Sequence, residues 1–262
     1  MYERELEVAS QLVVELGANM RDNIGLIEEV DIDQKEDRSL ITRIDKLNNQ
    51  LGIQILKQEF PDDGVRGEEG NDLLESDRRK WILDPVDGTF PFTCGIPTSV
   101  VLLGLEENGE PLVSCIYNPY VNQLFCAARG MGAFVNNRRV HVSTHSDLFE
   151  APIGTTGPDP SEIVNLARIR FDLAQEKAKV KVLGSTGYET AMVGWGKFAG
   201  QIFGGVTRHD VIAGDLFVRE AGGASTNKHG NRHNFLEEVD ASVMSNGPIQ
   251  DALLEIVQRN II

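Results

Sequence analysis

In Trp81-Ile82-Leu83-Asp84-Pro85-Val86-Asp87-Gly88-Thr89, a short apolar run ends abruptly in two acids, a proline and a glycine. The apolar run predicts a strand that delivers Asp84 to its C-terminal end, with Pro85 stiffening the exit and Asp87 close behind. A turn there aims both carboxylates at one point, with the Val86 carbonyl between them. Several oxygen donors so close together suit a hard cation such as Mg²⁺. Gly88 permits close backbone approach and Thr89 adds a hydroxyl. A helix starting here would turn its free N–H groups toward an incoming phosphate. The same residues also read as an Asp-Pro turn followed by an Asp-Gly turn, which is common punctuation without a ligand.

Further acids lie on either side. Gly67-Glu68-Glu69-Gly70 places adjacent carboxylates on a loop, a pattern that is usually just solvated. Asp210, in Arg208-His209-Asp210-Val211-Ile212-Ala213-Gly214, caps the helix expected to follow, and a helix N-terminus is also where a ligand site can form. Thr42-Arg43-Ile44-Asp45 has the spacing of a capping box. Metal chemistry would give Asp45 a second use, because a carboxylate bonded to the Thr89 hydroxyl could take a proton from an attacking water.

Around these motifs, Leu6, Ala9, Leu12, Val13, Leu16 and Met20 recur at helical spacing and predict an amphipathic N-terminal helix. Glu28 to Arg38 reads as a polar loop; Glu36 stands where a calcium-binding EF-hand loop requires glycine, which rejects that motif. Ile44, Leu47, Leu51 and Ile55 predict a second helix ending before Pro61. Thr98–Leu105, Leu112–Tyr117 and Gln123–Ala127 predict an antiparallel meander, and Arg138–Ser143 another strand. Beyond residue 150, Ala151–Thr155 and Val180–Leu183 read as strands, each followed by a helical stretch. Gln201–Phe203 then precedes a helix near His209, and the alternation suggests an α/β layer. The expected division is an N-terminal α+β sub-domain, 1–148, and a C-terminal α/β sub-domain, 149–262.

The chain has 262 residues, with 25 Lys+Arg against 40 Asp+Glu, a formal charge of −15. The acidic balance counts against nucleic acid as the main partner, since phosphate neutralisation needs a basic face. A hydrophobic fraction of 41% with 25% charged residues is that of a globular protein and argues against disorder. No run reaches the roughly 18 apolar residues of a membrane span, and the acidic N-terminus lacks a signal pattern. Cys94, Cys115 and Cys126 have no zinc-binding spacing and read as reduced, mostly packing residues in a cytoplasmic protein.

Taken together and in this order, these elements resemble the inositol monophosphatase family, within the Mg²⁺-dependent, lithium-sensitive phosphatases that include fructose-1,6-bisphosphatases and 3′-phosphoadenosine phosphatases. The resemblance runs through Leu40–Asp45, Gly67–Glu69, Trp81–Thr89, Gly95–Pro97, Gly130–Asn136, Gly184-Ser185, His209–Gly214 and Glu220–Gly223. It implies a layered αβαβα sandwich, with the active site between the two sub-domains. It implies that Glu68, Asp84, the Val86 carbonyl, Asp87 and Asp210 hold two or three Mg²⁺ ions, with Mn²⁺ able to substitute. Thr89 and Asp45 match the pair that activates the attacking water. Gly88 and Thr89 match the phosphate-binding N–H groups. Gly184, Ser185 and Thr186 match a substrate loop, to which Asp87 also contributes, and Glu69 matches an acid beside the metals. Lys35 matches loosely a lysine of a metal-site loop. The resemblance also implies a homodimer.

Three positions depart from the family pattern. Pro91 replaces a usual asparagine, His209 a usual tryptophan, and Phe203 a glutamate that contacts substrate hydroxyls. The loss of that glutamate counts against myo-inositol phosphate and favours a different or less polar leaving group, while His209 could meet a polar or charged one. The expected activity is hydrolysis of a small soluble phosphate monoester, such as an inositol or sugar phosphate or histidinol phosphate. Fructose-1,6-bisphosphate and 3′-phosphonucleotides are the alternatives. A non-catalytic interaction or regulatory protein that retains the fold is the alternative of another class; the complete set Asp45, Glu68, Asp84, Asp87, Thr89 and Asp210 stands against it.

Overall fold

The helical spacing at the N-terminus folds as expected into α1, Glu3–Asn23, which buries Ala9, Leu12, Val13, Leu16 and Met20. The structure is a computed structural model that describes residues 2–34, 39–69, 79–157 and 162–262. The polar stretch expected to be a loop is partly ordered into strand. A 3₁₀ turn at Glu29–Asp31 leads into β1, Ile32–Gln34, which pairs antiparallel with β2, Leu40–Thr42. So short a strand, largely exposed, offers no apolar alternation to read. Lys35 lies outside the described residues. α2, Arg43–Glu59, opens with a complete capping box. Thr42 Oγ1 accepts from the N–H groups of Ile44 and Asp45, and Asp45 Oδ2 accepts from Thr42 N–H at 2.9 Å.

Next in the chain is β3, Gly64–Gly67, a strand absent from the sequence reading, running parallel to β4, Arg79–Asp87. A single turn of helix, α3 (Thr89–Thr93), follows. The expected meander comprises β5 (Val100–Glu107), β6 (Glu110–Asn118) and β7 (Gln123–Ala128); β8 (Gly132–Val135), absent from the sequence reading, joins it to the further strand expected, β9 (Arg138–Val140). β3 to β9 form one seven-stranded sheet in sequence order. β9 ends before the expected Ser143, because Val142 N–H turns away to Ala221 O.

The second half supplies β10 (Pro152–Gly154), α4 (Leu166–Gln175), β11 (Lys179–Lys181), α5 (Thr186–Gly194), β12 (Gly200–Gly204), α6 (Arg208–Glu220), β13 (Ala224–Thr226), β14 (Ala241–Ser245) and α7 (Gln250–Gln258). Its sheet has the order β11-β10-β12-β14-β13, with β10 to β12 parallel and β14 antiparallel to both its neighbours. α1 and α2 cover one face of the large sheet. α5 and α6 fill the space between the two sheets, and α4 and α7 cover the far face of the small one. The result is an αβαβα sandwich of mixed α/β architecture.

Cys115 and Cys126 face each other across β6 and β7 as buried free thiols, Sγ to Sγ 3.2 Å. Cys94 departs from the packing role expected of the cysteines and is exposed. Among the described residues no helix is long and apolar enough to cross a membrane.

Candidate metal centre

On a regular strand, side chains three positions apart point to opposite faces. Asp84 and Asp87 escape that rule because the β4–β5 pairing slips between them. Asp84 pairs with Leu102 and Asp87 with Val100, so three steps along β4 match two along β5. Leu102 and Val100 share the face packed against α5 and α6, and the bulge brings both carboxylates to it. Pro85 sits within the bulge, where its missing N–H breaks no ladder bond.

Asp210 approaches from the first turn of α6, held by Thr207 N–H at 2.6 Å and Thr207 Oγ1 at 2.9 Å in a second capping box. One carboxylate oxygen from each of Asp84, Asp87 and Asp210 lies within 4.8 Å of the others. Glu68 N–H extends the β3–β4 ladder to Leu83 O at 3.0 Å, and its side chain hydrogen-bonds to Asp84. Asn49 on α2 fixes this corner by donating to Glu69 O at 2.6 Å. The approach needs glycine at 67, where a Cβ would lie 1.9 Å from Asn49 Oδ1. Glu69 is half-buried beside it.

The electrostatics are those of an anionic cluster out of water. Burial first, then the charges of Glu68, Asp87 and Asp210, push Asp84 well above the carboxylate range. Burial and Asp210 push Asp87 to about 8, against the pull of its Ser185 and Gly187 hydrogen bonds. Burial and Glu68 raise Asp210 to about 6. These groups cannot ionise together unless a cation joins them. An all-oxygen donor set with this mutual repulsion fits a hard divalent ion, Mg²⁺ or Mn²⁺.

Beside the cluster, Thr89 Oγ1 is 3.1 Å from Asp45 Oδ1 and 3.2 Å from Val86 O. The capping-box carboxylate of α2 therefore also meets the Thr89 hydroxyl, and burial raises its pKa above the ordinary value. Val86 N–H donates to Asp84 Oδ1 at 3.0 Å, while its side chain is buried toward α1 and α2. The loop before α5 meets Asp87. Ser185 Oγ and Gly187 N–H donate to Asp87 Oδ2, and Thr186 N–H donates to Oδ1 at 3.2 Å. Sequence reasoning assigned Ser185 and Thr186 to substrate and missed Gly187; the Gly-Ser-Thr-Gly run was its signal.

Gly88 adopts φ +83°, and a Cβ there would stand 3.0 Å from both Gly184 O and Ser185 Cβ. Its carbonyl accepts from Ser99 Oγ at 2.7 Å. Gly88→Ala is expected to cost about 1–3 kcal/mol in unfolding free energy and to displace the 184–185 loop; denaturant titration checks the first effect. Buried Pro91 packs on Gly184 from the other side. Phe203 is fully buried in the apolar layer with Ile82, Val211 and Ile212, and His209 is nearly buried with Nδ1 3.4 Å from Thr207 Oγ1.

The sandwich and the acidic cluster have counterparts among known proteins. The model of the inositol monophosphatase family matches residues 1–261. The chain is 32% identical to the inositol-1-monophosphatase of Rhizobium meliloti over 98% of this chain and 97% of that one. It is 34% identical to the Nus factor SuhB of Xylella fastidiosa, over 77% and 74%. The solved structure of the Thermotoga maritima IMPase superposes with a TM-score of 0.89 at 27% identity, covering 97% of both chains. The chain therefore belongs to the inositol monophosphatase family, as a metal-dependent hydrolase of small phosphate esters.

Proposed function

We propose that the chain hydrolyses a small soluble phosphate monoester with Mg²⁺ held by Glu68, Asp84, the Val86 carbonyl, Asp87 and Asp210. The convergence of Asp84, Asp87 and Asp210 within 4.8 Å carries this reading. A bound divalent cation would supply the positive charge that lets a nucleophile approach a phosphate dianion, and would make the attacking water more acidic. Asp45, with its raised pKa, accepts through Thr89 Oγ1 the proton that this water gives up. The N–H groups of Gly88 and Thr89, at the start of α3, hold the phosphate oxygens. Gly184, Ser185 and Thr186 line the leaving-group side together with Asp87, and Glu69 supports Glu68. The site lies between sub-domains 1–148 and 149–262, and the active unit is a cytoplasmic homodimer whose turnover Li⁺ inhibits.

Phe203, buried where the family pattern has a glutamate for substrate hydroxyls, counts against myo-inositol phosphate and leaves sugar phosphates and histidinol phosphate ahead of fructose-1,6-bisphosphate and 3′-phosphonucleotides. Phosphate release from inositol-1-phosphate, histidinol phosphate, glycerol-2-phosphate, fructose-1,6-bisphosphate and 3′-phosphoadenosine 5′-phosphate tests this order. Inositol-1-phosphate as the best ester would overturn it. On the best ester, Thr89→Ala is expected to lower kcat by about 10²–10³-fold with KM little changed, as loss of proton transfer alone requires. The likeness to a protein named Nus factor SuhB favours a second, interaction role that would coexist with catalysis. An Asp84→Asn protein that still supported that role would separate the two.

A further inference from the structure

Among the buried carboxylates outside these roles, Glu189 lies beside the loop that meets Asp87. Glu189, on α5, is fully buried, and burial raises its pKa to about 7. Its Oε1 accepts from Leu183 N–H at 2.5 Å and from Thr156 Oγ1 at 2.7 Å. Thr156 Oγ1 in turn accepts from Gly184 N–H at 3.2 Å. Its Oε2 accepts at 3.3 Å from Gln201 Nε2, which also donates to Thr186 O at 3.0 Å. Thr190 Oγ1 bonds both Gln201 Oε1 and Thr186 O, closing the network. Leu183, Gly184 and Thr186 are thus all fixed, directly or through one intermediary, to a single carboxylate at the C-terminal ends of β10 and β11. The next atoms along the same loop are the three donors to Asp87: Ser185 Oγ, Thr186 N–H and Gly187 N–H.

We infer that Glu189 is the positioning residue of the metal centre: it sets the 183–187 loop, and the loop sets Asp87. The inference rests on the proposed role of Asp87 as a metal ligand. A plain stabilising role is the rival explanation, since any buried hydrogen-bonded acid costs stability when removed. The two separate on metal affinity. Groups that orient a metal ligand typically cost about 10–100-fold in metal affinity or activity when lost, whereas a remote packing defect leaves both unchanged in the folded fraction.

The experiment compares Mg²⁺ affinity by calorimetry, kcat/KM on the best phosphate ester, and Tm. The proteins are the parent chain, Glu189→Ala, Glu189→Gln, Thr156→Val, Asn246→Ala and Asp87→Asn. Asn246 is a buried residue whose side chain bonds only the 143–145 segment, so its variant is a destabilised control. Glu189→Ala is expected to weaken Mg²⁺ binding and kcat/KM by about 10–100-fold. Thr156→Val, which cuts only the arm to Gly184, is expected to lose about threefold to tenfold while staying folded. Glu189→Gln should recover only part of the loss: its amide oxygen still accepts from Leu183 and Thr156, but its amide nitrogen faces Gln201 Nε2, and a flip of Gln201 would break the bond to Thr186 O. Asn246→Ala should lower Tm and leave both constants unchanged. If Glu189→Ala and Thr156→Val behave like Asn246→Ala while Asp87→Asn loses Mg²⁺ binding, the positioning role is wrong. If Asp87→Asn itself binds Mg²⁺ and turns over normally, the underlying site assignment fails instead.

Discussion

Asp84→Asn is expected to abolish nearly all Mg²⁺-dependent turnover and, at the same time, to make the metal-free protein more stable. Losing a metal ligand at the centre of the cluster forfeits several kcal/mol of charge stabilisation, about three orders of magnitude in kcat. Stability moves the other way because burial, together with the charges of Glu68, Asp87 and Asp210, disfavours the ionised Asp84 carboxylate in the metal-free fold. Asparagine carries no such charge. A gain in unfolding free energy is therefore expected in denaturant titrations with EDTA, alongside the activity loss. A loss of both stability and activity would mean that Asp84 is held by structural contacts instead of being repelled by its neighbours.

The second large effect is on pH dependence. Asp87 titrates near 8 in the fold against 3.8 in the unfolded chain, so between those values the native state binds more protons. The stability that Asp87 contributes is complete below about pH 4 and is lost as pH rises through 8. Glu189, raised to about 7, acts in the same direction. Each such group costs about 1.4 kcal/mol per pH unit. Between pH 6.5 and 8.5 the metal-free protein is expected to lose about 5–10 °C in Tm. Saturating Mg²⁺ should flatten that slope, because the cation favours the ionised cluster, and its binding should release protons most strongly near neutral pH. Scanning calorimetry at four pH values, with and without Mg²⁺, checks both. Metal-free stability that rose with pH would contradict the proposed repulsion.

The individual acids were visible in the chain, but their meeting was not. Asp84 and Asp87 stood out beside Pro85, yet regular strand geometry would have put them on opposite faces. Only the slip against Leu102 and Val100 brings them together, and that slip belongs to the pairing of two strands. Asp45 read as the acid of a capping box and Asp210 as a cap; in the fold both are the third residues of their helices, and Thr42 and Thr207 are the N-caps that complete the two boxes. Their second function depends on where the helices point. β3, β8 and β13 went unread because each is too short to show a period, and β14 because its five residues are all buried and do not alternate. Glu189 was missed for a different reason. Its partners Thr156, Leu183 and Gln201 come from separate parts of the chain, and no local spacing links them.

The most direct test is phosphate release from a pooled set of phosphate esters as Mg²⁺ is titrated into EDTA-stripped protein. Pooling frees the result from the choice of any single ester. The account predicts no release in EDTA, full release restored by Mg²⁺, and none at any Mg²⁺ concentration from Asp84→Asn. Release that persists in EDTA, or that Asp84→Asn retains, would show that the carboxylate cluster is not where the chemistry happens.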